Sequence, residues 1–359
     1  MQSDLVEHHA IVMKNSTVLI CAGAALSLCF SSIATAAKQA PPFGGSLEWN
    51  TGSESPSLGA LAGKSVLVMF YQSWCPICNK WSGELFAQLT KTYGEDPRVV
   101  LVAIKTDGGS MGDALKYLSE RTDEEKWMVA VDEGGVYQQQ ALGRNKLYEY
   151  MWVTPEGEIG EEGKSGTYTS GSDPKEYTLV RVDVAKKFRA GTSTVMPEGK
   201  KLDAALDPAV ELAEKGLFLS ALAQAAKISS SAAKEDVGAF RKAIAGKVEN
   251  AVAMHKAVVE DKSSNNRYLS LISLQGIAEN FGRSAPGMAA KEVVSAHERS
   301  SWVAEEEEAA SDYESIMRRS QRADDERSRA RITKALVKLA EEFPETAYGR
   351  MAAAGAKGK

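Results

Sequence analysis

Residues 65–80 read SVLVMFYQSWCPICNK. The first seven, Ser65 to Tyr71, form a continuous apolar, β-branched run bounded by Lys64 and Gln72, the pattern of a strand buried on both faces. Behind the cysteines, Ile77, Trp81, Leu85, Leu89 and Tyr93 recur every four residues, one stripe of a helix that Gly94 and Pro97 bring to an end. Cys75 and Cys78 therefore fall where a buried strand hands over to an amphipathic helix. A cysteine at a helix N-terminus meets unpaired backbone N–H groups and the positive end of the helix dipole, which lower its pKa and favour the nucleophilic thiolate. A second cysteine one turn further in is close enough to resolve a mixed disulfide. Pro76 suits an early helical position, where it has no N–H to lose.

Working outward, VVLVAIK (Val99 to Lys105) predicts a second buried strand, and Ser110 with Asp113 predicts a capping box for a helix carrying Met111, Leu115 and Leu118. WMVAVD (127–132) and LYEYMWV (147–153) supply two further strands. TPEG (154–157) is a turn with proline at its second position, and EIGEEGKSGTYTSG (158–171) completes a hairpin with the strand before it. YTLVRVDV (177–184) fits either a strand or the start of a helix. Gly108 and Gly109 ahead of a helix could cradle an anion, but without a wider phosphate-binding signature they read as a loop. Strands alternating with helices and closed by one hairpin predict an α/β unit, a central mixed sheet flanked by helices.

VLVMFYQSWCPIC followed by an amphipathic helix resembles the active-site segment of the thioredoxin superfamily. The extra strand and helix between IKTD and YMWVTPEGEI resemble its exported thiol-reductase branch, the TlpA-like proteins, and the resemblance covers Leu47 to Gly171. It implies a thioredoxin-like fold, with Cys75 as attacking nucleophile and Cys78 as resolving thiol. Trp74, Pro76, Ile77 and Tyr148 would face the substrate, and no cofactor is called for. Two positions depart from the family pattern. Met69 stands six residues before the first cysteine, where many thioredoxins carry a buried aspartate. No proline occurs between Pro97 and Pro155, so the cis-proline expected near Leu147 or Tyr148 is missing and the docking loop is altered.

The N-terminus predicts export. Lys14 precedes an apolar run from Val18 to Phe30, which gives way to Ala34-Thr35-Ala36, a small-x-small cleavage pattern. Residues 1–36 are read as a signal peptide, directing the protein to the periplasm or another extracytoplasmic space, with no membrane span after cleavage. Cleavage removes Cys21 and Cys29 and leaves Cys75 and Cys78 as the only thiols, in a compartment that permits a disulfide. Zinc would want four ligands, whereas His255 and His297 are the only histidines left and lie in helical sequence, so no metal site is expected.

Residues 37–63 read as an extended lead-in, 64–188 as the thioredoxin-like domain and 189–201 as a linker. From 202 to 359 the pattern is helical throughout: DPAVELAEKGLFLSALAQAAKI predicts two short helices joined near Gly216, and a break falls at Phe343-Pro344. Helical-hairpin repeats are suggested by the recurring LAE, without a clean period. The charged stretch from Ala304 to Arg331 reads as a solvated helix, with Glu314–Arg318 and Asp325–Arg329 four apart, acid first. The net charge of −5 comes without a basic stripe, which argues against nucleic acid as a partner. Two functions stand open. One is an exported thiol–disulfide oxidoreductase acting on protein thiols and disulfides with an unknown redox partner. The other is a scaffold whose helical domain recognises a protein and whose Cys75–Cys78 is a structural disulfide.

Overall fold

The computed structural model describes residues 40–43, 47–52, 54–74, 76–143, 149–164, 166–170, 177–181, 190–191, 194–196, 200–230, 233–320 and 325–357, with backbone alone for 76–82, 164, 166–170, 177–181 and 357. The stretch read as a signal peptide lies outside them.

The apolar runs become the middle of a six-stranded sheet. β1 (Leu47–Trp49), β2 (Ser65–Tyr71), β3 (Val99–Lys105), β4 (Trp127–Asp132), β5 (Glu149–Val153) and β6 (Ile159–Lys164) lie in the order β1-β4-β3-β2-β5-β6. β2, β3 and β4 are mutually parallel, β1 and β5 add antiparallel, and β6 closes the hairpin with β5. Every residue of β2, β3 and β4 is buried, because both faces are covered. On one face Leu67, Met69, Tyr71, Leu101 and Ala103 meet Leu85, Phe86 and Leu89 of α1 (Pro76–Tyr93) and Tyr117 and Leu118 of α2 (Met111–Ser119). The other face presents Val66, Val68, Phe70, Val102 and Ile104 to Tyr137 and Ala141 of α3 (Val136–Leu142) and to Phe43, Leu58 and Leu61 of the lead-in. The mixed sheet flanked by helices is thus the thioredoxin-like architecture expected from the sequence, followed by an all-helical stretch. The ambiguous segment is a strand over Tyr177–Arg181, β8, which pairs antiparallel with β7 (Gly166–Ser170) in a sheet of their own, so of the stretch 158–171 expected to complete the hairpin only β6 pairs with β5.

The capping box forms as expected. Ser110 accepts from the Asp113 N–H, and the Asp113 carboxylate accepts from the Ser110 N–H in return. Hydrogen bonds from Ser110 hold the Asp113 carboxyl below the ordinary range.

Helices follow as α4 (Asp207–Glu214), α5 (Phe218–Ala226), α6 (Lys234–Glu260), α7 (Arg267–Phe281), α8 (Ala285–His297), α9 (Ser301–Ser320), α10 (Glu326–Glu342) and α11 (Ala347–Lys357). α4 and α5 are joined at Gly216, whose φ of +76° is the left-handed conformation a tight connection needs. A Cβ there would also stand 2.9 Å from Leu61 Cδ2. The stretch read as a solvated helix is partly turned inward. Val303, Ala309, Tyr313 and Ile316 of α9 are buried, and the Glu306 carboxylate accepts from the Ala347 N–H at 2.9 Å, capping α11. Glu314 and Arg318 do pair, at 3.8 Å, while Asp325 serves as the N-cap of α10 by accepting from the Ser328 N–H.

The helices grip the sheet at several points. Lys64, at the head of β2 and buried, pairs with Glu214 of α4, whose other oxygen accepts from the Val195 N–H at 2.8 Å. Burial lowers the Lys64 pKa, and the Glu214 carboxylate opposes that shift. Glu54 of the lead-in accepts from the N–H groups of Leu219 and Ser220, at 2.7 and 2.8 Å, and caps α5 from 165 residues away. Leu217 joins the core under the sheet, and Val195 and Met196, read as linker, are buried in the helical core. α11 rests on α3: a Cβ at Gly355 would stand 3.2 Å from Gln139 Nε2, and Ala354 Cβ lies 3.4 Å from the Cβ position of Gly143.

Because α5 has no side-chain cap of its own, Glu54→Ala is expected to cost about 1–2 kcal/mol in urea unfolding. Two buried titrating groups oppose each other in acid. His255, wedged against Gly59, has its pKa pushed down to about 4 by burial, and burial pushes Asp132 up to about 6. The folded state refuses a proton at His255 that the unfolded chain accepts, so this contribution is complete above pH 6.5 and is lost as pH falls towards 4. Asp132 keeps its proton when folded, so its contribution is complete below the unfolded value of 3.8 and is lost as pH rises through 6. Asp132→Asn is expected to leave stability falling on acidification between pH 6.5 and 4, and His255→Gln to reverse that slope, read by chemical denaturation at stepped pH.

Candidate functional site

Strand β2 ends at Tyr71 and α1 begins at Pro76, so the residues on either side of Cys75 run from the C-terminal end of a central strand into a helix. Cys75 and Tyr148 lie outside the described residues, and Pro76, Ile77 and Cys78 are described in backbone only, within the first turn of α1. Trp74 is 65% exposed, against the burial usual for so large an apolar side chain. It stands on the surface immediately before the motif.

The turn is held from the neighbouring strand. Asp107, just past the end of β3, accepts through Oδ2 from the Ser73 N–H at 2.8 Å and from Ser73 Oγ at 2.9 Å. Its other oxygen lies 2.6 Å from Lys105 Nζ, and both side chains are over nine-tenths buried. Lys105 also donates to the Gly108 carbonyl. Gly108 and Gly109 have φ of +71° and +90°, and a Cβ at Gly109 would come within 3.1 Å of Lys105 Nζ. The glycine pair therefore makes the loop the sequence suggested, shaped to receive a lysine. Thr106 N–H donates to the Tyr71 carbonyl at 3.0 Å, extending the parallel pairing of β2 and β3 to the rim of the turn.

Met69 is buried among Leu67, Phe86 and Leu89, so its position carries no charge. On the opposite face Gln138 donates to Glu149 at 2.9 Å, and Asp132 accepts from the N–H groups of Tyr137 and Gln138 at 3.1 and 3.0 Å. These contacts fix the start of β5 and the first turn of α3, the elements that flank residues 144–148. Ser73, Lys105, Asp107 and Glu149 were not singled out in the sequence. The available signal was a lysine ending an apolar strand ahead of Asp-Gly-Gly.

The two histidines are not brought together with the cysteine motif. His255 is buried in α6, its Nδ1 3.4 Å from Ser270 Oγ, and His297 ends α8 with its ring 5.8 Å from that of Trp302. Among the described residues no cluster of three or more His, Cys, Asp or Glu could hold a metal, and no helix is long and apolar enough to cross a membrane. A groove of about 340 Å³ runs between the lead-in and the helices, lined by Phe43, Pro56, Phe218, Ile272, Ile277 and Phe281.

No family model and no curated protein matches the chain. Among solved structures, it is similar to a thiol:disulfide interchange protein of the thioredoxin family from Chlorobium tepidum, with 18% identity over 36% of this chain and 87% of that one, at a TM-score of 0.29. A thioredoxin-like protein from Aeropyrum pernix matches at 17% identity over 32% of this chain and 77% of its own, TM-score 0.27. A secreted disulfide oxidoreductase of Mycobacterium tuberculosis matches at 18% identity over 36% and 76%, TM-score 0.24.

An exposed tryptophan contributes little to folding, so Trp74→Ala is expected to change stability by less than about 0.5 kcal/mol. Urea unfolding of the variant beside the wild type reads that difference.

Proposed function

We propose that the chain is an exported thiol–disulfide oxidoreductase that acts on protein disulfides through Cys75 and Cys78. The observation that carries this reading is the start of α1 at Pro76, directly behind the fully buried strand β2. Cys75 precedes that first helical residue in sequence, which supports a thiol close to a helix N-terminus, where thiolate is favoured.

In the reductive direction the Cys75 thiolate attacks one sulfur of a substrate disulfide. A Cys75–substrate S–S bond forms, and the second substrate sulfur leaves as a thiolate that takes up a proton. The Cys78 thiolate then attacks the Cys75 sulfur, displacing the first substrate sulfur. Two electrons pass to the substrate and the pair ends as a disulfide, which an unidentified redox partner reduces again. Run backwards, the same steps oxidise a dithiol. Trp74, exposed beside the motif, supplies apolar contact to the substrate polypeptide. Residues 1–36 supply the export signal, which places the pair where disulfides persist.

A second reading, a helical domain that recognises a protein, has the groove at Ile272 and Phe281 in its favour. The helices share their core with the sheet through Leu217, so this reading is tested by Ile272→Glu, not by truncation.

Cys75→Ser is expected to abolish insulin reduction, and Cys78→Ser to trap a mixed disulfide that a non-reducing gel resolves. An intact wild-type protein that shows no exchange in any glutathione buffer would defeat the redox reading and leave the structural disulfide.

A further inference from the structure

A buried ammonium and a buried carboxylate meet directly behind the turn that leads to Cys75. Lys105 ends β3 with its side chain 4% exposed, and Asp107 is 9% exposed with Oδ1 2.6 Å from Lys105 Nζ. Oδ2 holds the turn through two bonds to Ser73, one to its N–H and one to its hydroxyl. Gly109 leaves the space the ammonium fills, since a Cβ there would lie 3.1 Å from Nζ. Two Cα–Cα steps of about 3.8 Å separate residues 73 and 75, and with the Asp107–Ser73 hydrogen bond and a cysteine side chain added the carboxylate and the sulfur are at most about 15 Å apart. At an effective dielectric constant of about 20, an uncompensated unit charge at that limit contributes about 1 kcal/mol, about half a pKa unit or more.

Holding the turn with a carboxylate therefore has an electrostatic side effect. A bare Asp107 would oppose the negative charge of a thiolate at the helix N-terminus. Lys105 cancels that field at its source. The neighbouring charged or titratable groups, among the described residues, include Asp113 and Tyr117 of α2, Arg121 just past its end, and Tyr71 of β2. The Asp113 carboxylate is engaged in the Ser110 capping box, Arg121 lies 3.7 Å over the Tyr117 ring, and the Tyr71 hydroxyl donates to the Ala114 carbonyl. Each has a partner of its own, whereas Asp107 and Lys105 are joined to the turn.

We propose that Lys105 and Asp107 form a charge-balanced clamp. Asp107 positions the turn ahead of Cys75, and Lys105 neutralises the carboxylate so that the Cys75 thiol keeps the acidity the helix N-terminus gives it. Both are positioning residues. The inference rests on the reading of Cys75 as the nucleophile.

The test is the pH dependence of iodoacetamide alkylation at Cys75 in full-length reduced protein carrying Cys78→Ser, with the modified peptide identified by mass spectrometry. Lys105→Met is expected to raise the alkylation midpoint by about 0.5 pH unit or more, since it leaves the carboxylate unbalanced. Asp107→Asn is expected to lower it by a similar amount, because it leaves the ammonium unbalanced while the amide oxygen still accepts from Ser73. The double variant should return to within about 0.2 unit of the parent, as neither charge remains. Mere loosening of the turn would move both single variants in the same direction, and that result, or no movement in either, overturns the clamp. If circular dichroism shows that Lys105→Met does not fold, Lys105→Gln replaces it, since it keeps a donor for the Gly108 carbonyl; the same sign is required. Insulin reduction by the wild type separates the two readings. Absence of exchange defeats the oxidoreductase and leaves the midpoint shifts standing, while exchange accompanied by shifts of the wrong sign defeats the clamp alone.

Discussion

The ammonium of Lys64, buried at the head of β2, has to be paired where it lies. Lys64 precedes the first residue of β2 and is 1% exposed, a burial that costs several kcal/mol for an uncompensated charge. Its carboxylate comes from Glu214, 150 residues later in the chain. The head of β2 therefore draws its counter-charge from α4, and the connector is tied in with it, since the Val195 N–H donates to the same carboxylate. What reads as a tether between two units is packed: at Gly191 a Cβ would stand 2.6 Å from the Gly63 carbonyl and from Lys64 Cα.

The local elements were legible because their signals are local. An unbroken apolar run means a strand covered on both faces, and β2, β3 and β4 are buried along their whole lengths. Ser110 and Asp113 carry their capping box in four residues, and Gly216 announces its own turn. At the site, the strand-to-helix setting of the cysteine motif could be read in the same way. What escaped were charged groups turned inward by partners far along the chain. Lys64, Glu54, Asp107 and Glu306 look like surface residues in sequence, and only the tertiary fold supplies the N–H groups and counter-charges that turn them inward. His255 follows the same logic: a histidine on a helix reads as decoration until Gly59 is seen to leave room for its ring.

The two sides of the sheet divide the work. The α1 and α2 side carries the cysteine turn, with Met69 and Tyr71 packed beneath it and the charges confined to its rim. The α3 side carries the lead-in and the seam with the helices, where Tyr137 packs against Phe43 at 5.5 Å between ring centroids. A layer of apolar side chains thereby separates the strand end that leads to the motif from the seam.

The contact of α11 with α3 gives the molecule a mechanical linkage. Residue 143 abuts Ala354, whereas residue 149 is anchored from inside the sheet unit by Gln138. Gly143 and Gln138 both belong to α3, so the last helix of the chain bears on the C-terminal end of the same short helix that holds the start of β5. α3 is thus a shared abutment, and loss of either contact would be felt by the other through seven residues of helix.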